Sequence, residues 1–490
     1  MSGCKLLRID PSGLHSPTNY LALLYLLCTI RTLETDCTLH SIETYIMLPK
    51  EQERDGSTER SPFISPMKQT PAAPKDKYLL VYFIALLHGI GVLMPWNMFI
   101  TIAPQYYVQY WFSPNNTQTE YSKNFMSSLG IAAQLPNVLI NVINTFLVIG
   151  GTLLLRIAGP IVINCASVFA VIMLIVFVPP TEEDMSWYYV VTLAIVAIIN
   201  LSNGLYQNST FGLFADFPAS YTNALILGNN ICGTFTTVLS IVVTMIFTDV
   251  RSIAITYFSI SLFVLILCGI SLLVLVKQKF YNYHVDKGTA IRAQANASKP
   301  GLKQFIECFK KCWVQLWNVF FIFFVTLTIF PAIMASTPLY LEPGQNWNSI
   351  WPGELKKRLY TFITTFLCFN VFATIGSTIA NFVQWPRPEF LWMPVLLRGL
   401  FIPFFMFCNY RPFDRTLPVL FKSEYTFLIG GVLMSITSGY FSSLAMMYAP
   451  RVVPERYAKI AGMTAALCLI LGIFSGVAFT LVVAYLTTSL

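Results

Sequence analysis

Charged side chains are scarce. Asp, Glu, Lys and Arg make up 11% of the 490 residues, where a soluble chain carries roughly a quarter. That excludes a water-facing surface over most of the chain. Histidine is rarer still: His15, His40, His88 and His284 stand far apart and show no zinc-ligand spacing. The 11 cysteines include no CxxC pair, Cys308 and Cys312 lie four apart, and many fall in apolar runs. They read as small buried hydrophobes. No GxxxxGK[ST] phosphate loop is present, which removes the usual basis for ATP-driven pumping. No nucleophile–base pairing or metal cluster is visible either, so neither an enzyme nor a cofactor is expected.

What remains is apolar. Hydrophobic residues are 55% of the chain and mean hydropathy is +0.62. Continuous runs of about 20 apolar residues recur, each long enough to cross a bilayer. Inside lipid the backbone must satisfy its own hydrogen bonds, and unbroken runs select helices over alternating strands. The fold class is therefore all-α, a polytopic membrane protein. Spans are expected at 79–103, 125–150, 154–178, 187–211, 221–247 and 252–276, then at 314–337, 359–383, 390–409, 425–449 and 458–486. That makes about eleven transmembrane helices in a six-plus-five arrangement. Residues 1–78 read as a cytoplasmic tail, largely disordered, with charge, Ser and Pro enriched over 51–77. Within it "YLALLYLLCTI" (20–30) is too short to span. An interfacial segment and an atypical targeting signal both fit that stretch.

The net charge of +8 reflects membrane loops rather than a nucleic-acid surface. The loop 277–313 holds Lys277, Lys279, Lys287, Arg292, Lys299, Lys303, Lys310 and Lys311 against Asp286 and Glu307. It is expected in the cytoplasm, against anionic lipid. Six preceding spans then put the N-terminus inside, and eleven put Leu490 outside. The acidic loop 179–186 falls outside, as does the glycosylation sequon at Asn115. "KKR" (356–358) and Arg411, Arg415 and Lys422 also fall outside, against the bias. A second sequon, Asn296-Ala-Ser298, would stay unused inside.

Polar amides inside lipid are costly unless paired or facing a cavity. Gln134, Asn137, Asn141 and Asn144 stand at i, i+3, i+7 and i+10, one face of the second span. The fourth span carries Asn200, Asn203, Gln207, Asn208 and Ser209, the fifth Asn229 and Asn230, the eighth Asn370, Asn381 and Gln384. Helix–helix hydrogen bonding and an aqueous pathway both account for such stripes. Ionised groups are nearly absent from the spans, His88, Arg398 and Asp216 apart. Ion-coupled carriers usually need intramembrane carboxylates, so this pattern points to downhill movement of a mostly neutral polar solute.

"GIGVLMPWNMFITI" (89–102) then resembles the first span of the equilibrative nucleoside transporter family. "QNSTFGLFADFPASYTNALILG" (207–228), "FPAI" (330–333), "LLRGLFIPFFMFCNYRP" (396–412), "SGYFSSLAMMYAPRVV" (438–453) and "AGMTAALCLILG" (461–472) are similar to its later spans, in order. The resemblance covers 79–487. It implies a major-facilitator-like fold, nucleoside transport by alternating access, and a central cavity. Carried over by position, that cavity would be lined by Trp96, Ile100, Gln134, Asn137, Gln207, Phe330, Phe366, Asn370, Ala373, Ser377 and Leu471. Trp96 would stack on a base and Gln207 would hydrogen-bond it. A nucleoside-like solute and lipid are the implied partners, and a monomer suffices.

The pattern breaks on the eighth span. The family's Phe-Asn-x-x-Asp-x-x-Gly-Arg appears as "FNVFATIGS" (369–377), so Ala373 replaces an acid and Ser377 an arginine. The family's Ser-Asn-Gly-Tyr on the tenth span is Thr437-Ser438-Gly439-Tyr440, and 161–174 lacks an arginine found near the start of the third. Removing acid and base together leaves no orphan charge. It also removes charge-assisted hydrogen bonds of about 1.5–3 kcal/mol each, so nucleoside affinity would fall roughly a hundredfold. "FNVFATIGST" (369–378) reads as a cavity wall, with a close-packed helix face as the competing reading. A non-transporting sensor or scaffold, and a carrier of another small polar solute, remain open alternatives. The plasma membrane is the default location, a lysosomal or other endomembrane the alternative.

Overall fold

The computed structural model describes residues 73–114, 117, 119–146, 152–294, 302–341, 360–412 and 415–489. Most of the expected tail, the sequons at Asn115 and Asn296, and "KKR" (356–358) lie outside the described residues. Among the described residues the protein is all helical. Ten helices are long and apolar enough to cross a membrane, and an eleventh, Trp392–Met406, is shorter. The first six are α1 (Leu80–Ala103), α2 (Glu120–Phe146), α3 (Leu155–Phe177), α4 (Met185–Phe214), α5 (Ala219–Ile246) and α6 (Val250–Leu275). A loop helix, Lys279–Gln294, follows. The second set is α7 (Leu302–Ile329), α8 (Phe362–Phe382), α9 (Trp392–Met406), α10 (Glu424–Tyr448) and α11 (Ala458–Ser489).

Several boundaries differ from those read off the apolar runs. The helix of α1 continues as π-helix through Pro104–Trp111, where Tyr106, Tyr107 and Trp111 are buried. Trp111 stacks on Tyr188 at 3.6 Å between ring centroids. α7 begins at Leu302, not 314, because Cys308, Cys312, Leu316 and Val319 form a buried stripe at helical spacing while Lys310 and Lys311 stay exposed. Residues 73–78 lead directly into α1. Asp76 accepts hydrogen bonds from the backbone N–H groups of Val81 and Tyr82 and from the Tyr221 hydroxyl, fixing the entry to α1.

Packing within each half relies on glycine. A Cβ on Gly89 of α1 would strike the Leu225 carbonyl of α5, and one on Gly228 of α5 would strike the Leu86 carbonyl of α1. The two backbones meet with no side chain between them, as small residues permit in membranes. The second half repeats the device between its own first and fifth helices. Gly472 and Gly476 of α11 press on the Phe320 and Phe324 carbonyls of α7. Thus "GIGVLM" serves helix packing.

The short α9 is about 22 Å long at 1.5 Å per residue, less than the ~30 Å hydrocarbon core. It is interrupted by a 3-10 turn at Arg398–Leu400. Arg398 is 2% exposed. Its guanidinium donates to the Ile322 carbonyl and Thr326 Oγ1 of α7, at 3.3 and 2.9 Å, and to the Met434 carbonyl of α10 at 3.3 Å. One cation thus pins a broken helix to two intact ones. Arg415 closes the other end of α9. It donates to the carbonyls of Met406, Cys408, Tyr410, Leu417 and Pro418, satisfying groups that a helix terminus leaves open. Burial lowers its pKa. Lys422 lies over the Tyr340 ring at 5.4 Å.

Replacing Arg398 by Ala leaves buried acceptors on two helices without a donor. It should destabilise the purified protein by about 3 kcal/mol, and Arg398→Lys should not rescue it, since an ammonium cannot span the same three acceptors. Thermal unfolding in detergent measures both.

Candidate functional site

The two halves, α1–α6 and α7–α11, meet along α5 and α8. Asn223 of α5 donates to the Ser377 carbonyl at 2.9 Å and to Asn381 Oδ1 at 2.8 Å. Asn230 donates to Ser377 Oγ at 2.6 Å. The hydroxyls of Thr234 and Thr374 pair at 3.3 Å, and Asn370 donates to Thr237 Oγ1 at 3.4 Å. On α5 these residues stand at i, i+7, i+11 and i+14, and on α8 at i, i+4, i+7 and i+11, so each set forms one stripe. The result is a seam of neutral amides and hydroxyls. Asn223, Thr234 and Thr237 were not sequence candidates, though their one-face spacing was available.

The seam runs from the end bearing the loop helix toward the middle of the bundle. The other side-chain hydrogen bonds between the halves also lie toward that end. Asn208 Nδ2 of α4 donates to the Met463 carbonyl of α11 at 2.9 Å, and Asn381 donates to the Tyr82 hydroxyl at 3.3 Å. Gly212 receives the Met463 side chain. Beyond Thr237 and Asn370, toward the opposite end, no side-chain hydrogen bond joins the halves among the described residues.

Against this frame the residues of 369–378 divide. Asn370 is engaged with Thr237 and with the Phe366 carbonyl. Ala373, 1% exposed, lies against α10, where a Cβ on Gly439 would overlap its carbonyl. A Cβ on Gly376 would likewise overlap the Ile436 carbonyl. Ser377 is fully buried and donates to the Gly439 carbonyl at 3.1 Å while accepting from Asn230. The structure therefore places Ala373 and Ser377 between helices rather than on an open surface. With an arginine at 377, the side chain would have to leave this contact.

The α2 stripe divides as well. Asn144 donates to Asn208 Oδ1 at 2.7 Å and accepts from Arg156 at 2.8 Å. Asn208 donates in turn to Thr145 Oγ1. Arg156 stands in the first turn of α3, so that helix does carry an arginine near its start. Asn164 donates to Asn203 Oδ1 at 2.7 Å. Asn137 accepts from Asn141 and packs where Gly204 lets α4 approach. Asn144, Asn208, Asn164 and Asn203 thus hold helices together, whereas the Asn141–Asn137 bond lies within α2.

Three candidates in the first half differ. Trp96 and Gln134 are half-buried and Gln207 is 4% exposed. The Trp96 indole N–H and the two amides have no hydrogen-bond partner among the described residues. None of these atoms is among the buried unpartnered ones, so solvent reaches them. Ile100 lies one turn beyond Trp96, packed on the same apolar cluster. In the second half, Phe330 stacks on Phe369 at 3.9 Å and meets Phe366 edge-on at 5.6 Å. Leu471 is half-buried on α11. The structure thus joins Phe330 to Phe366 and leaves the polar ends of Trp96, Gln134 and Gln207 free. No group of three or more His, Cys, Asp or Glu suited to a metal occurs among the described residues.

Because Gly439 admits the α8 backbone directly, Gly439→Val should overpack this contact and cost about 3 kcal/mol. Ser377→Ala, which removes two hydrogen bonds but little volume, should cost about 1 kcal/mol. Thermal unfolding of the two variants side by side checks the order.

Comparison with known proteins follows the same lines. The chain is 27% identical to human "Equilibrative nucleoside transporter 1" over 462 residues, covering 84% of this chain and 98% of the relative. It is 27% identical to human "Equilibrative nucleoside transporter 2", covering 82% and 96%. It is 22% identical to "Equilibrative nucleotide transporter 1" of Arabidopsis thaliana, covering 86% and 90%. Among solved structures, a proton:xylose symporter of the major facilitator superfamily aligns with TM-score 0.52 at 13% identity, over 82% of this chain and 88% of that one. The E. coli fucose:proton symporter aligns with TM-score 0.50 at 10% identity, over 83% and 92%. These two show a major-facilitator-like fold. The family model described as "Nucleoside transporter" matches residues 193–485. With more than half its length matched and its relatives covered nearly end to end, the chain belongs to the nucleoside transporter family, as a divergent member beside the equilibrative transporters.

Proposed function

We propose that the protein is an equilibrative carrier of nucleosides or a related neutral solute, working by alternating access of its two halves. The observation that carries this reading is the set of unpaired, solvent-reachable polar groups on Trp96, Gln134 and Gln207. Many of the other amides within the spans are engaged with neighbouring helices, as Asn144, Asn164, Asn208, Asn223 and Asn230 are, although Asn229 is also unpaired. An indole face stacks on a planar base, and an amide offers donors and an acceptor in one plane. Phe330 and Phe366 supply an apolar surface from the other half. The carboxylates of the described spans, Glu120, Glu307 and Glu424, all lie near helix ends. That favours facilitated diffusion over ion coupling.

The cavity is altered relative to the family pattern. With Ala373 and Ser377 in the helix contacts, α8 offers the solute neither an acid nor a base, and binding rests on the first half. The basic charge of the loop helix supports a cytoplasmic position for its end of the bundle. On that topology the halves are closed to the inside. Among the basic groups at the opposite end, Arg415 is engaged in capping α9, which removes part of their conflict with that topology. We propose the plasma membrane as its location and a monomer as the working unit.

The test is counterflow uptake of labelled purine and pyrimidine nucleosides by the purified protein in proteoliposomes. Saturable uptake above empty vesicles is expected. Gln207→Ala should raise KM about tenfold, the equivalent of one lost hydrogen bond to solute, and Trp96→Ala should do at least as much. Absence of uptake for every nucleoside and nucleobase would overturn the reading.

A further inference from the structure

The loop-helix end of the bundle carries a second fastening besides the α5–α8 seam. The loop helix lies across the α4–α5 turn. Its Phe280 and His284 pack on Phe217, at 6.0 and 5.1 Å between ring centroids, and Phe280 stacks on Tyr221 at 5.2 Å. One and two turns further along the same face, at i+4 and i+8 from His284, Gly288 and Arg292 receive the Asp216 carboxylate. Arg292 Nη1 donates to Oδ1 at 2.8 Å and to Oδ2 at 2.9 Å. A Cβ on Gly288 would overlap that carboxylate. The side chains of Asp216 and Arg292 are 6% and 18% exposed, so each depends on the other.

The same loop helix reaches the second half. Lys287 Nζ lies 3.3 Å from Glu455 Oε1, in the turn before α11. That pair is exposed and weak by itself. Asp216 also feels both signs from the second half, attraction from Lys459 and repulsion from Glu455. Burial raises the Asp216 pKa, while Arg292 pulls it down. The carboxylate therefore sits where the α4–α5 turn, the loop helix and the start of α11 converge.

We propose that the loop helix is a latch. The Asp216–Arg292 pair, seated by the notch at Gly288, clamps the loop helix to the α4–α5 turn of the first half, and Lys287–Glu455 carries that helix across to the second half, so that the helix ties this end of the two halves together. It has to release before the halves part on this side. The proposal rests on the alternating-access reading and adds to it the element that restrains one of the two states. It gives the chain's connecting segment a mechanical role that the seam residues do not have.

The test places a cysteine at Met463, whose side chain is covered by Gly212 in the α4–α11 contact. The full chain is reconstituted, and a membrane-impermeant maleimide is applied from the loop-helix side. Labelling of the parent without that cysteine gives the background from native thiols. Arg292→Gln and Gly288→Val should each speed labelling on the order of tenfold, the equivalent of one broken charge-assisted contact. Arg292→Lys should stay near the parent rate, and so should Asn282→Ala on the same helix. Labelling at the parent rate in Arg292→Gln and Gly288→Val, both eluting as folded protein, would overturn the latch. Loss of fold in both would overturn it too, because a latch is dispensable to the fold. No solute enters the measurement, so its outcome is separate from whether nucleosides are carried.

Discussion

A polar atom surrounded by hydrocarbon has to find its partner inside the protein, and most of this structure follows from that constraint. Arg398 has no carboxylate beside it and is held by two carbonyls and a hydroxyl. Arg156, Asn144 and Asn208 pass hydrogen bonds from α3 through α2 to α4, and on to a carbonyl of α11. Ser377 is satisfied on two sides by different helices. Where so many polar groups are engaged by a neighbouring helix, one that stays open to solvent becomes informative. Trp96, Gln134 and Gln207, with Asn229 of α5, stand out for that reason, rather than for being polar.

Two kinds of helix contact divide the work. Within the halves, glycines bring backbones together at α1–α5, α7–α11 and α8–α10, and such contacts do not reopen without losing dense packing. Between the halves, Gly233 admits Asn370 and Gly462 nears the Phe211 carbonyl, but the hydrogen bonds of the α5–α8 contact are made by amides and hydroxyls, which exchange their partners for water at small net cost. α8 carries both. Its Gly376 face belongs permanently to α10, while Asn370, Thr374, Ser377 and Asn381 face a neighbour in the other half. A packing that is tight on one side and exchangeable on the other suits a helix that moves with its own half.

The eleven spans and their six-plus-five grouping were legible, since each depends on about 20 apolar residues in a row. Their ends were less so. The run at α7 looks interrupted by Lys310 and Lys311, yet the helix continues beneath them because Cys308 and Cys312 keep the buried stripe. The outward basic residues looked like a flaw in the topology. Arg415 removes part of that difficulty, because five carbonyls around one guanidinium form only once the chain has folded back on α9. For the site, a stripe such as Gln134, Asn137, Asn141 and Asn144 has the same spacing whether it faces water or a helix. Only the approach of α4 at Gly204, and of Asn208, separates Gln134 from the rest. The window 369–378 was ambiguous for the same reason, and its Gly376 was the residue that carried the packing signal.

The neutrality of the α5–α8 seam has an electrical consequence. Its groups are uncharged, and the cation at mid-membrane, Arg398, is fastened to helices of its own half. For a carrier that rocks across such a seam with a neutral solute, little charge is displaced along the membrane normal. The membrane potential acts on displaced charge, at about 2.3 kcal/mol per elementary charge per 100 mV. Such a cycle is electrically silent, and its direction is left to the solute gradient alone.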